Sequence, residues 1–264
     1  MLFRSDDLGN VLLIVKYEEP GLVTEDRFMH LNTHRGRLAI GTDGQTSGHS
    51  AAADAFSVAA VDWFKGSLTP APFDGTESVE TFSSDGPRRI FFDEDGSPIT
   101  PDNFLAGGGT VRQKPDIAAA NQVSTATPGF NPFAGTSAAA PHAAAIAALI
   151  LEYDAATTEM VRTIFDYSSL DIEAPGIDRD SGMGIIMADS ALFTIDTLIE
   201  DTTCTNVTGT VQSLYLCSNA EPIAVGPNVK IASQTGYLQL SGTTVGFTGE
   251  VAVKPGARLR VITP

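Results

Sequence analysis

The chain is 264 residues long and carries 32 acidic against 16 basic residues, a net charge of −16 with a pI near 4.4. That balance argues against nucleic acid and anionic membrane surfaces as partners, and no run of ~18 apolar residues is present to span a bilayer. Two cysteines cannot be the main staple of a fold, so a hydrophobic core in one large domain or two modest ones must hold it.

Met1 to Asn10 carries Arg4, Asp6 and Asp7 and lacks the basic start and apolar centre of a signal peptide. Val11 to Tyr17 and Arg27 to Thr33 read as strands joined by the turn Glu18-Glu19-Pro20-Gly21, with Arg37 to Ile40 as a shorter third. Gly48 to Ala55 is a short helix candidate and Phe56 to Val61 a buried strand. From Asp62 to Gly86 the chain is polar and turn-rich. Ile90-Phe91-Phe92, the turn Asp93-Glu94-Asp95-Gly96 and Ser97-Pro98-Ile99 then form a surface hairpin. Three acids in that turn invite a calcium reading, but the regularly spaced oxygen ligands and distant Glu of an EF-hand loop are absent, so calcium is not predicted.

Gly135-Thr136-Ser137 runs into an alanine-rich stretch reaching Ile150, a strong helix former that is apolar on every side and so expected to be buried. Gly135 lets the backbone turn tightly before Ser137. Ser137 then stands at the mouth of the helix, its own N–H unpaired and the positive end of the helix dipole beside its hydroxyl. A serine nucleophile needs such a fixed position and a donor aimed at the oxyanion formed on a carbonyl. Next, Thr157 or Thr158 caps an amphipathic helix through Phe165, with Met160, Val161 and Ile164 toward a core. Ala174-Pro175-Gly176 breaks the chain before a last helix. Near Asp196 threonine, valine and glycine take over, and short alternating strands between glycine turns mark a small all-β module, a roll or sandwich. Cys204 and Cys217 would close a hairpin there by a disulfide, with two buried thiols as the alternative.

The string Gly135-Thr136-Ser137-Ala138-Ala139-Ala140-Pro141-His142 resembles the serine motif G-T-S-x-A-x-P-H of the subtilisin-like serine peptidases. Phe82 to Pro87 resembles the family's F-S-S-x-G-P loop, Lys114 to Ala119 its K-P-D-I-x-A strand, and Gly182-Met183-Gly184 with Ala188, Ala191 and Leu192 its closing helix. Gly48-His49-Ser50-Ala51-Ala52 is similar to a G-H-x-A-A segment of large bacterial members. The resemblance covers about Gly48 to Phe193 and implies an α/β fold: the C-terminal half of a doubly wound parallel sheet. On this reading residues 1–45 are the remnant of an inserted β-sandwich, with an ordinary β-meander as the alternative. Residues 46–197 are the peptidase portion and 198–264 the β module.

The resemblance implies a serine endopeptidase acting through an acyl-enzyme on Ser137, and it also shows what is missing. The triad needs a base and an orienting carboxylate. His142 lies five residues beyond Ser137, about 140° around and about 7.5 Å along the helix, so it is out of reach as the base, and the resemblance implies that it packs in the core. His30, His34 and His49 lack the H-G-T-x-V-x-G surroundings of the family's base. Asp180-Ser181-Gly182 spells the aspartate motif but follows the serine, against family order. The oxyanion asparagine has no counterpart, and the nearest imitation, Asp43, would repel an oxyanion. The expectation is therefore a fragment, inactive alone, that requires the N-terminal half of the peptidase domain as partner and a protein or peptide as substrate, with no cofactor and no metal site. Its parent would be extracellular or on the cell surface. Substrate preference is not legible. Apolar sides of the Ser137 helix and of the Phe56 to Val61 strand are expected to face water, giving aggregation or a molten state. The rival from another class is a non-catalytic surface or adhesion protein whose β module binds a partner. A serine hydrolase of another fold is weaker, since neither G-x-S-x-G nor S-x-x-K surrounds Ser137.

Overall fold

The computed structural model describes residues 42–64, 72–99, 108–153, 156–201, 203–212, 214–231, 236–254 and 257–263. The three strands expected between Val11 and Ile40, and with them His30 and His34, lie outside these residues. The chain divides into two compact units, Met1–Leu38 with Ile90–Thr110 and Ala39–Arg89 with Val111–Pro264. In the first, the acidic hairpin is present. Phe92 bridges Pro98, Asp93 N–H donates to Ser97 O at 2.9 Å, and Asp95 accepts from the Ser97 hydroxyl and from the Ser97 amide at 2.9 Å, bonds that hold its carboxyl below the usual range. Among the described residues no group of three or more His, Cys, Asp or Glu side chains could hold a metal ion, and no helix is long and apolar enough to cross a membrane.

The second unit begins with a 3₁₀ turn, Gly48–Ala51, shorter than the helix expected there, and strand β1, Val58–Asp62. β2 (Arg88–Ile90) and β3 (Thr110–Arg112) are brief. β4, Ile117–Asn121, pairs with β1 in parallel from Val58↔Ile117 to Asp62↔Asn121. Helices α1 (Thr136–Leu151), α2 (Thr158–Ser168) and α3 (Ala188–Asp196) follow. Thr157 caps α2 as expected, accepting from the Met160 amide at 3.3 Å. Ala60, Ile117 and Ala119 look toward the helices, with Ala139, Ala143, Ile164 and Phe165 in one cluster. Ala59, Val61 and Ala118 look the other way, toward Ile172 and Ile185.

Both faces of β1 are thus covered, and its outer edge is paired: Glu80 N–H donates to Ala60 O at 2.8 Å, and Ala60 N–H to Ser83 Oγ at 3.0 Å. This corrects the expectation that β1 faces water. The loop resembling F-S-S-x-G-P closes that edge locally. The β4 edge is closed in turn by the Gly182–Ile186 stretch, where Ala118 N–H reaches Gly184 O at 2.8 Å and Met183 N–H reaches Asp116 O at 2.8 Å. A Cβ on Gly182 would collide with the Asp116 carbonyl; a backbone this close tolerates only glycine. Asp180-Ser181-Gly182 is accordingly a turn. Ser181 is fully buried and donates to Asp178 Oδ2 at 2.7 Å.

The K-P-D segment gains a physical reason. Asp116 is buried at the head of β4 and accepts from Lys114 Nζ at 2.8 Å, Arg162 of α2 at 2.6 Å and the Ser57 amide at 2.7 Å. A buried carboxylate is tolerable only with such partners, and these tie β1, β4 and α2 together.

The expectation that α1 is buried all round is only half met. Ala138, Ala139, Ala143 and Ile150 are buried, while Ala140, Ala144, Ala145 and Ala148 are exposed and Leu149 and Leu151 are about two-fifths exposed. An apolar stripe of α1 therefore faces outward.

The C-terminal module is a parallel β-helix, which overturns the expected roll or sandwich. β5 (Ile199–Asp201), β6 (Asn206–Val207), β7 (Thr210–Val211), β8 (Leu214–Asn219), β9 (Ile223–Val225), β10 (Val229–Ile231), β11 (Tyr237–Gly242), β12 (Val245–Phe247), β13 (Val251–Val253) and β14 (Arg258–Ile262) form three sheets ordered β14-β11-β8-β5, β12-β9-β6 and β13-β10-β7. Every pairing in them is parallel. The chain winds through the three faces in turn, and columns such as Val207–Val225–Phe247 and Cys217–Leu240–Val261 stack between rungs. Cys204 and Cys217 are bonded, but across one turn of the coil rather than across a hairpin.

Alternation on the β8-β11 sheet divides its side chains. Cys217, Leu238 and Leu240 fill the coil, whereas Leu214, Leu216 and Tyr237 belong to the cluster of the α/β block. Tyr237 meets Tyr167 edge to face, with centroids 5.6 Å apart, and its hydroxyl reaches Asp166 Oδ2 at 3.3 Å. Arg258 of the last rung donates to Asp166 Oδ1 at 3.1 Å. Burial, reinforced by the Asp166 carboxylate, raises the Tyr237 pKa.

Candidate active site

The loop from β4 to α1 is closed at its base by Val123 and Phe133, which exchange amide–carbonyl bonds of 2.9 and 2.8 Å. Beyond it Gly135 is the N-cap of α1, with φ 110°, a conformation open to glycine alone. The Gly135 carbonyl accepts from the Ala138 and Ala139 amides at 2.9 and 3.2 Å. Thr136 and Ser137 supply the first two residues of the helix, and among the described residues neither amide has an acceptor. Ser137 is exposed, and its hydroxyl has no protein partner among those residues. The arrangement offers a solvent-accessible oxygen beside two free N–H groups at the positive end of a 16-residue helix.

The other singled-out residues do not converge on this serine. His142 turns back along α1, its Nδ1 lying 2.8 Å from Ala138 O. His49 is exposed on the 3₁₀ turn and makes no hydrogen bond to Ser137. Asp43 pairs with Arg179, which also holds Asp85 at 2.5 Å, and Asp180 lies in the buried-serine turn described above.

One residue escaped sequence reasoning. Asn121, the last residue of β4, is fully buried; its Oδ1 accepts from the Gly135 amide at 2.6 Å, and its Nδ2 donates to Glu80 Oε1 at 3.2 Å. The available signal was a polar amide closing the otherwise apolar run Ile117-Ala118-Ala119-Ala120, since a polar group in that position must have partners.

One family profile, the Subtilase family (Peptidase_S8), matches residues 10–184. That span begins within the stretch assigned above to an inserted β-sandwich and ends at Gly184. No curated protein and no solved structure matches the chain. With the serine motif, the buried K-P-D strand and the glycine-dependent closing segment inside the matched span, the chain belongs to the subtilase family of serine peptidases.

Proposed function

We propose that this chain is the serine-bearing portion of an endopeptidase that cleaves protein substrates through an acyl-enzyme on Ser137. The observation that carries the reading is the exposed Ser137 hydroxyl beside two unpartnered amides at the head of α1. Its oxygen attacks the scissile carbonyl, and the Ser137 amide holds the oxyanion. The proton goes to a base that the described residues do not bring to the hydroxyl, and the base hands it to the amine that departs as the peptide C–N bond breaks. That base, with its orienting carboxylate, comes from a complementary N-terminal peptidase half. The outward apolar stripe of α1 supports this, because it is a surface such a half would cover. Alone the chain is inactive, since an unactivated serine is a weak nucleophile and loss of triad members leaves only residual catalysis. The Cys204–Cys217 bond supports a parent protein working outside the cell.

The test is a fluorophosphonate probe added to the chain alone and to the chain mixed with the upstream polypeptide. Labelling is expected only in the mixture and is lost in Ser137→Ala. Labelling retained in Ser137→Ala assigns the reaction to another residue. No labelling in the mixture favours a non-catalytic surface protein.

A further inference from the structure

We propose that Asn121 is a positioning residue for Ser137: a latch from the end of β4 that fixes the glycine turn in front of the nucleophile. The inference rests on the reading of Ser137 given above. α1 has no side-chain cap, because its N-cap is Gly135. An ordinary Ser, Asp or Asn cap anchors its own turn; a glycine there is the most permissive residue available. Stiffness has to come from elsewhere, and the Asn121 carboxamide supplies it by taking the Gly135 amide proton at 2.6 Å.

The carboxamide is itself oriented. The Gly135 N–H can only donate, so Oδ1 must face Gly135 and Nδ2 is left to face Glu80. Glu80 is tied to β1 through its backbone, whose N–H donates to the Ala60 carbonyl at 2.8 Å. On the other side of Asn121, Gln122 occupies the left-handed region with φ 60°, an uncommon conformation for a residue with a side chain. It is held there by Trp63 Nε1, which donates to its carbonyl at 2.6 Å, and by its side-chain Nε2, which donates to Asp62 Oδ2 at 3.3 Å. A chain of bonds therefore runs from β1 through Glu80 and Asn121 to Gly135, two residues before the nucleophile. Strained backbone kept in place by several partners is the pattern of a site whose geometry matters.

The experiment needs neither substrate nor base. In the unaltered chain, amide exchange at Gly135 is expected to be at least about 100-fold slower than at Thr136 and Ser137; equal rates would remove the latch. In a Ser137→Cys background, where the native cysteines are bonded to each other, the pH profile of iodoacetamide alkylation reports how the helix amides face the introduced thiol. Its midpoint is expected below the ordinary thiol value of about 8.5. Asn121→Ala should return it toward that value and slow alkylation at pH 7 about 10-fold. The exchange Asn121→Asp with Glu80→Gln keeps the pair's single negative charge and one donor, and should recover the rate to within about threefold, whereas Asn121→Asp alone should not. A profile unmoved by Asn121→Ala overturns the proposal. So does an exchange variant that regains the parent melting temperature but not the thiol profile, for that is the mark of a purely structural asparagine. Failure of the nucleophile reading shows separately, as missing fluorophosphonate labelling.

Discussion

The α/β block and the β-helix bury apolar surface by different routes. In the block, β1 and β4 are buried on both faces, and their edges are closed by loop segments from Val79 to Ser83 and from Gly182 to Ile186; contacts join residues far apart in sequence. In the coil each rung rests on the one before it, and side-chain columns continue until the last rung. There the burial stops. Leu240 is 0% exposed but Val261, its neighbour in register, is 43% exposed; Val225 is 0% and Phe247 49%. A sheet edge can be closed by a few residues of loop, whereas a coil end is closed only by something of its own cross-section. The two regions nevertheless share one core, because Leu214, Leu216 and Tyr237 cluster with Ile164 and Phe165.

The largest expected effect tests that shared core. Phe165→Ala should destabilise by about 4 kcal/mol. If the regions unfold together, both near-ultraviolet signals and far-ultraviolet β signals shift to the same lower temperature in a melt; a shift in only one would divide them. Reducing the Cys204–Cys217 bond, which spans a sequence separation of 13, should cost about 3 kcal/mol. Urea titration with and without reductant would measure it, and the loss should fall first on the coil. Next comes the contrast between rungs: Leu240→Ala should cost about 2 kcal/mol more than Val261→Ala, and equal costs would mean that the end rung is covered in solution.

The smallest effect concerns the junction. Burial raises the Tyr237 pKa, so the folded chain holds this proton after the unfolded chain has released its own. The resulting stability is present below the unfolded value of 10.0 and is lost as pH rises through the folded value. Melting temperature should decline above about pH 10, and Tyr237→Phe should flatten that decline.

Much of the peptidase portion was legible. Thr157, Met160, Val161, Ile164 and Phe165 declare a capped amphipathic helix, and the G-T-S, K-P-D and G-M-G strings name a family because each is constrained: Gly135 by its positive φ, Asp116 by its buried ion pairs, and Gly182 and Gly184 by backbone that leaves no room for a Cβ. The β module was legible as strands but not as a coil. Alternation marks a strand whatever its partner, and the steps between the register partners Ile199, Tyr215, Leu238 and Leu259 are too uneven to read as a repeat. The disulfide pairing was foreseen, while its place across a coil turn was not.

The sequence by itself determined which hydroxyl heads the alanine helix, because glycine before it and helix formers after it act through local backbone geometry. Only the tertiary structure decided which stripe of that helix is left outward, which loop closes β1, and that Asn121 and Glu80 reach the Gly135 turn. Those outcomes depend on partners brought together across the fold, and no local pattern of residues encodes the distance between them.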